Sequence, residues 1–241
     1  DKALTQFKSI DQNSKYYQNA QMHIIHLLIL EEKFDEALKI LERLMAQDRN
    51  NTDLVLMLAA IHEAQEKYDE AIDAIKEGLK SDENNVSLRF RLGVLLDKAG
   101  KKEACIQEMR SLLKIDPDNV DALNYIGYTY AEQGVRLDEA LFLIQKALKL
   151  KPNSGYIIDS LGWVYFQKGQ YKKAVAALLK AATLTGEDPT IQEHLGDAYR
   201  QLKEYKKALQ YYEKALSLEH PEETRIKEKI AEVRERLKTE N

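Results

Sequence analysis

Apolar positions along this chain recur at helical spacing, in paired amphipathic stretches that come back again and again. Aligned on one small residue per copy, six copies appear: 18–51, 52–85, 86–119, 120–154, 155–188 and 189–222. The aligning residues are Ala37, Ala71, Cys105, Ala140, Ala174 and Ala208, at steps of 34, 34, 35, 34 and 34 residues. Each copy predicts two helices joined by a turn. An array of this kind stacks one supersecondary unit and generates an extended surface.

Within each copy the first helix carries a pair whose second member is small: Leu58-Ala59, Leu92-Gly93, Ile126-Gly127, Leu161-Gly162 and Leu195-Gly196. A small residue there lets a neighbouring helix approach closely. The first copy has Ile24-Ile25 instead, which predicts a looser unit. The turn between the helices holds an aromatic in most copies, as in Glu32-Lys33-Phe34 and Gly169-Gln170-Tyr171. The second helix then opens on acidic residues, such as Asp35-Glu36 and Asp69-Glu70, which suit the positive end of a helix dipole. Copies close on Asn or Pro, as in Asp116-Pro117-Asp118-Asn119, which stop one helix and prepare the next.

Both ends fit this register. Ala3, Phe7 and Ile10 take the slots of Ala37, Leu41 and Leu44 one period earlier. Residues 1–17 therefore read as the second helix of a truncated preceding repeat, and the chain as a piece of a longer array. Residues 223–241 read as a capping helix and tail. Ile226, Ile230, Val233 and Leu237 form its single apolar stripe, and pairs such as Glu223–Lys227 and Glu232–Arg236 sit at helix spacing.

The pattern resembles the tetratricopeptide repeat (TPR) family, on Leu161, Gly162, Tyr165, Ala174, Leu178 and Ala181 of the fifth copy and Leu195, Gly196, Tyr199, Ala208, Tyr212 and Ala215 of the sixth. The resemblance covers essentially the whole chain. It implies an all-α fold: a right-handed superhelical solenoid of antiparallel helix pairs, with the first helices lining a concave face. Asn124 to Tyr128, Leu137 to Ala140 and Asp159 to Trp163 also resemble bacterial envelope TPR lipoprotein adaptors. That implies a bacterial protein in a periplasmic or outer-membrane-associated setting.

Composition narrows the chemistry. With 36 Lys and Arg against 40 Asp and Glu, and no basic block, nucleic acid is not an expected partner. The longest apolar run, Ile24 to Leu30, is interrupted by His26 and is far short of the roughly 20 residues of a membrane span. One cysteine excludes an intrachain disulfide framework; Cys105 fills a slot otherwise held by alanine and reads as a buried, inert thiol. The five histidines lack a completing carboxylate motif, so no metal site is expected. Gly93 to Lys102 fails as a phosphate loop, because the spacing is too long and Lys102 stands where Ser or Thr is required. No cofactor is implied and the chain is not expected to be an enzyme.

The resemblance places particular side chains in the concave groove. They are Phe90, Asn124, Tyr128, Tyr156, Asp159, Trp163, Phe166, Glu193, Asp197 and Arg200. The middle of this set is aromatic and its C-terminal end polar and acidic. Aromatics beside Asn and Asp suit an extended peptide, whose side chains the rings bury while Asn124 holds its backbone. The competing reading is that these rings pack between neighbouring first helices. The carboxylate clamp of chaperone-binding TPR domains is absent, since the clamp's lysine position reads Met22, Leu56, Phe90, Asn124, Asp159 and Glu193. The expected function is an adaptor that binds a peptide segment of a protein partner. A self-assembling homo-oligomer, or the non-catalytic part of a larger enzyme, are the other classes the sequence leaves open.

Overall fold

The structure is a computed structural model that describes residues 5–7 and 9–239. It divides into two compact units, residues 1–117 and 118–241. The first contains α1 (Tyr17–Leu30), α2 (Phe34–Met45), α3 (Thr52–Ala64), α4 (Tyr68–Leu79), α5 (Val86–Lys98) and α6 (Lys102–Ile115). The second contains α7 (Val120–Glu132), α8 (Leu137–Leu150), α9 (Gly155–Gln167), α10 (Tyr171–Thr185), α11 (Pro189–Gln201), α12 (Tyr205–Ser217) and α13 (Glu223–Thr239). The fold is all-α, and no strand occurs among the described residues. Ahead of α1, residues 5–7 are helical and 9–16 form turns, while Phe7 stacks on His23 at 4.9 Å. Ala3 lies outside the described residues.

The same local chemistry starts most first helices. Asn51, Asn85 and Asn119 cap α3, α5 and α7 by accepting from backbone N–H groups of the first turn, and Asp188 does so for α11. They end alike as well. The backbone N–H a few residues past each first helix reaches back five residues: Lys33 to Leu28, Lys67 to His62, Lys101 to Leu96, Val135 to Tyr130, Gln170 to Tyr165 and Glu204 to Tyr199, all at 2.8–3.0 Å. This six-to-one bond needs a left-handed residue just before it. Gly100, Gly134 and Gly169 meet that need without strain; Glu32, Glu66 and Lys203 meet it with φ near 60°. Replacing Glu66 or Lys203 with glycine removes that strain and is expected to stabilise by about 0.5–1 kcal/mol. Thermal melting checks this, and an unchanged or lower Tm counts against it.

The extra residue of the fourth repeat is absorbed here. Gly134 (φ 68) and Arg136 (φ 48) are both left-handed, and Val135 between them is exposed. Arg136 then stacks over the Tyr130 ring at 5.6 Å and pairs with Glu139.

Packing within a pair rests on a slot-and-knob contact. The small residues Ala37, Ala71, Cys105, Ala140, Ala174 and Ala208 are all at most 1% exposed. One turn further along, Leu41, Ile75, Met109, Ile144, Leu178 and Tyr212 are fully buried. Where the small position of the first helix is glycine, as at Gly93, Gly127, Gly162 and Gly196, the knob faces it. A Cβ on Gly127 would lie 2.6 Å from Ile144 Cγ1, and one on Gly162 would lie 2.6 Å from Leu178 Cγ. Ile25, which breaks the small-residue rule, is itself fully buried. In the second unit the core runs through α9–α12 and ends on α13, whose Ile226 and Val233 are fully buried and Ile230 nearly so.

Candidate functional site

Within the second unit, α7, α9 and α11 are the first helices of their pairs and carry the predicted groove residues. Tyr128, Trp163, Glu193 and Asp197 line one cavity of about 440 Å³, together with Arg225 and Lys229 of α13. A cleft of about 490 Å³ in the first unit is lined by Leu38, Leu41, Met45 and Leu58 and contains none of the groove positions.

The aromatic wall is a stack. Trp163 lies against Phe166, one turn along α9, with ring centroids 4.7 Å apart and nearly parallel planes. On α11, His194 stacks on the same indole at 4.2 Å. His194 Nδ1 is 2.8 Å from Asp159 Oδ1, and both residues are buried. Burial alone would lower the His194 pKa. The charge of Asp159 and its hydrogen bond, then the charges of Asp197 and Glu193, outweigh burial and leave the pKa raised. Burial, followed by the charges of Glu132, Asp159 and Glu193, pushes the Tyr128 phenol up to about 12. That phenol stays protonated across the physiological range and can donate a hydrogen bond.

The acidic end is closed by the chain itself. Lys229 Nζ donates to Glu193 Oε1 at 2.6 Å and to Asp197 Oδ2 at 2.7 Å. Arg225 Nη2 donates to Glu193 Oε2 at 2.8 Å, and His220 Nε2 lies 2.9 Å from the same oxygen. Tyr212 Oη donates to Asp197 Oδ1 at 2.7 Å. Burial would raise the Glu193 pKa, but the Lys229 hydrogen bond and the charges of Lys229, Arg225 and His220 hold it below its usual value. Burial and the Asp197 contact raise the Tyr212 phenol well above its ordinary range.

The sequence reading leaves Glu193, Asp197 and Arg200 facing a partner. In the structure Glu193 and Asp197 are 3% and 4% exposed and already paired, and Arg200 Nη1 bonds Glu232 of α13 at 2.8 Å. Asp159 is turned inward to His194. Tyr156 is two-thirds exposed at the start of α9. Asn124 is half-buried, and its Oδ1 has no hydrogen-bond partner among the described residues; the same holds for Trp163 Nε1. Phe90 belongs to the first unit, on α5, and is half-buried there. Sequence reasoning weighed His194 and His220 only as possible metal ligands, and it missed Arg225 and Lys229. The last two were legible as a basic pair four residues apart, matching the acidic pair Glu193 and Asp197. Among the described residues no group of three or more His, Cys, Asp or Glu could hold a metal ion, and no helix is long and apolar enough to cross a membrane.

Paired helices that repeat the same caps, knobs and slots define a helical-repeat protein. Two family profiles described as tetratricopeptide repeat match, one at residues 28–87 and 62–125 and the other at 121–236. The chain belongs to the tetratricopeptide repeat family. Over 60 residues it is 43% identical to the TPR repeat-containing protein PA4667 of Pseudomonas aeruginosa, a match covering 25% of this chain and only 10% of that protein. Among solved structures it is similar to TTC0263, a thermophilic TPR protein of Thermus thermophilus, with 22% identity, TM-score 0.62, and 74% and 96% of the two chains covered. It is also similar to MamA from Desulfovibrio magneticus RS-1, with 20% identity, TM-score 0.60, and 73% and 97% covered. The APC/C hetero-tetramer Cut9-Hcn1 gives 17% identity, TM-score 0.76, and 95% and 45% covered. At these identities the structural likenesses bear on the fold. The general class is that of a protein-interaction scaffold.

Proposed function

We propose that the chain is an adaptor whose groove on α7, α9 and α11 binds an extended segment of a partner protein. The observation that carries this reading is a pair of unsatisfied polar atoms at groove positions. Asn124 Oδ1 can accept and Trp163 Nε1 can donate, and both are buried without partners among the described residues. A buried polar atom left unpaired is costly, and a water or a bound segment that reaches it relieves that cost. An acceptor and a donor are the complement of a peptide N–H and C=O. Tyr156, exposed on the same helix as Trp163, supplies apolar area for a side chain of the segment.

The test uses peptides selected from a random display library against the full chain. Trp163→Phe keeps a stacking ring but removes the donor, and Asn124→Ala removes the acceptor. Each is expected to weaken a selected peptide about five- to tenfold with little change in Tm. Tyr156→Ala is expected to weaken binding by a similar factor. Selected peptides that bind all three variants as tightly as the parent would remove the groove assignment. The identity with the P. aeruginosa relative supports a bacterial origin; the lipoprotein reading rests only on the resemblance of repeats four to six.

A further inference from the structure

The contacts that hold α13 are ones a second copy of the chain can supply equally well. The helix leaves α12 through the five residues 218–222. In this connection Glu219 is left-handed, with φ 56°, although it is not glycine. A side chain in that conformation carries strain. His220 folds the connection shut: it is buried, its Nδ1 accepts from the Glu222 N–H at 3.0 Å, and its Nε2 lies against Glu193. Beyond the hinge, α13 carries a complete set of complementary groups. Ile226, Ile230 and Val233 fill the apolar seam. Arg225 and Lys229, one turn apart, meet Glu193 and Asp197, also one turn apart. Further along, Arg234 Nη2 donates to Glu213 Oε1 at 2.8 Å. None of these contacts depends on both partners belonging to the same chain. A strained, short hinge before a self-contained helix is the setting in which identical elements exchange.

We propose that α13 exchanges between two copies of this chain. Glu193 and Asp197 of each copy are then closed by Arg225 and Lys229 of the partner subunit. The exchange reaches the candidate site directly, because Arg225 and Lys229 form one side of the cavity that also holds Tyr128 and Trp163. In the exchanged dimer each groove is finished by the other copy. Opening the hinge frees Glu219 from the left-handed region and costs the His220 seat, so the balance between closed monomer and dimer depends on protein concentration. This proposal is independent of what the groove binds.

The test uses the full chain with Cys105→Ala, the residue that fills the slot in the other repeats. Glu213→Cys and Arg234→Cys are placed in separate preparations; both side chains are about half-exposed. The two are mixed, incubated at increasing concentration and treated with a short bis-maleimide. A 213–234 link between chains, identified by mass spectrometry and rising with concentration, is the expected result. Glu228→Cys, on the exposed side of α13, is the control and should not link to position 213. Glu219→Gly relieves the closed hinge and should lower the linked fraction about fivefold. No 213–234 link above the control, with a double-cysteine chain joining only within itself, would overturn the proposal. So would a dimer seen by light scattering without that link, or a linked fraction unmoved by Glu219→Gly.

Discussion

Replacing Lys229 with methionine should weaken the sixth repeat and α13 by about 3 kcal/mol, one of the largest single-residue losses available in this chain. The substitution keeps the length and apolar stem of the side chain but removes the charge shared by Glu193 and Asp197. Those carboxylates are 3% and 4% exposed, so water from the cavity replaces the lost ammonium poorly. The loss falls at the low end of what breaking a buried pair costs, because neighbours remain. Arg225 still reaches Glu193, and Tyr212 still donates to Asp197. Hydrogen exchange over residues 223–239 is the direct readout, because an element of a repeat array contacts only its neighbours and can open locally. Protection unchanged from the parent would show that the ion pairs contribute nothing to docking.

The same network sets a pH dependence. The Glu193 pKa is lowered in the folded chain, so its contribution is full above the unfolded value near 4.5 and is lost as pH falls through the lower folded value. Docking of α13 should therefore survive mild acid and fail below about pH 4.5. Without Lys229 the folded pKa moves up toward the unfolded value, so the acid-sensitive contribution should shrink and be lost over a narrower pH window. His194 runs the other way. Its raised pKa means that its contribution is full below the unfolded value of 6.5 and declines as pH rises through the folded value.

Gly196→Ala should cost about 2–3 kcal/mol, while the equivalent Gly93→Ala should cost less than about 1 kcal/mol. The two positions hold the same place in the repeat but meet different knobs. The new methyl at residue 196 would overlap the Tyr212 ring edge and come within 3.0 Å of its Cγ. That ring cannot swing aside, since it is fully buried and its hydroxyl is fixed on Asp197. At residue 93 the nearest atom is Met109 Cε, the free end of a flexible side chain. Urea unfolding of the two variants tests the contrast, and equal losses would refute the anchored-ring explanation. Because Tyr212 and Lys229 share Asp197, the losses from Gly196→Ala and Lys229→Met should add up to less than their sum.

The helices were legible because their signals are local. Ala71 and Ala174 mark the period, Asn85 and Asn119 start helices, and Gly100 and Gly169 end them, each through bonds spanning a few residues. Of the candidate site, the sequence offered only a set of positions. Trp163 and Phe166 share a helix face, and helical spacing predicts that they meet. That His194 would stack on Trp163 and bond Asp159 depends on how two separate helices are juxtaposed, which periodicity does not encode. Glu193 and Asp197 illustrate the same limit. As a pair one turn apart on a groove face they read as open to a partner. Arg225 and Lys229 each sit 32 residues on from the carboxylate they close, just short of one repeat. Glu232 shows the ambiguity of charge spacing: it stands one turn from Arg236 in sequence, yet it takes a hydrogen bond from Arg200 of α11.

The stack around Trp163 gives this protein a built-in optical reporter. The chain has one tryptophan, so all indole emission comes from the wall of the cavity that Trp163 lines. That indole is stacked on the imidazole of His194, and a protonated imidazole quenches indole fluorescence efficiently. Emission should brighten as alkaline titration discharges His194, and should shift in colour when a bound segment displaces water from the cavity. The filling of the cavity and the charge on its wall can thus be followed in the unlabelled chain, by light alone.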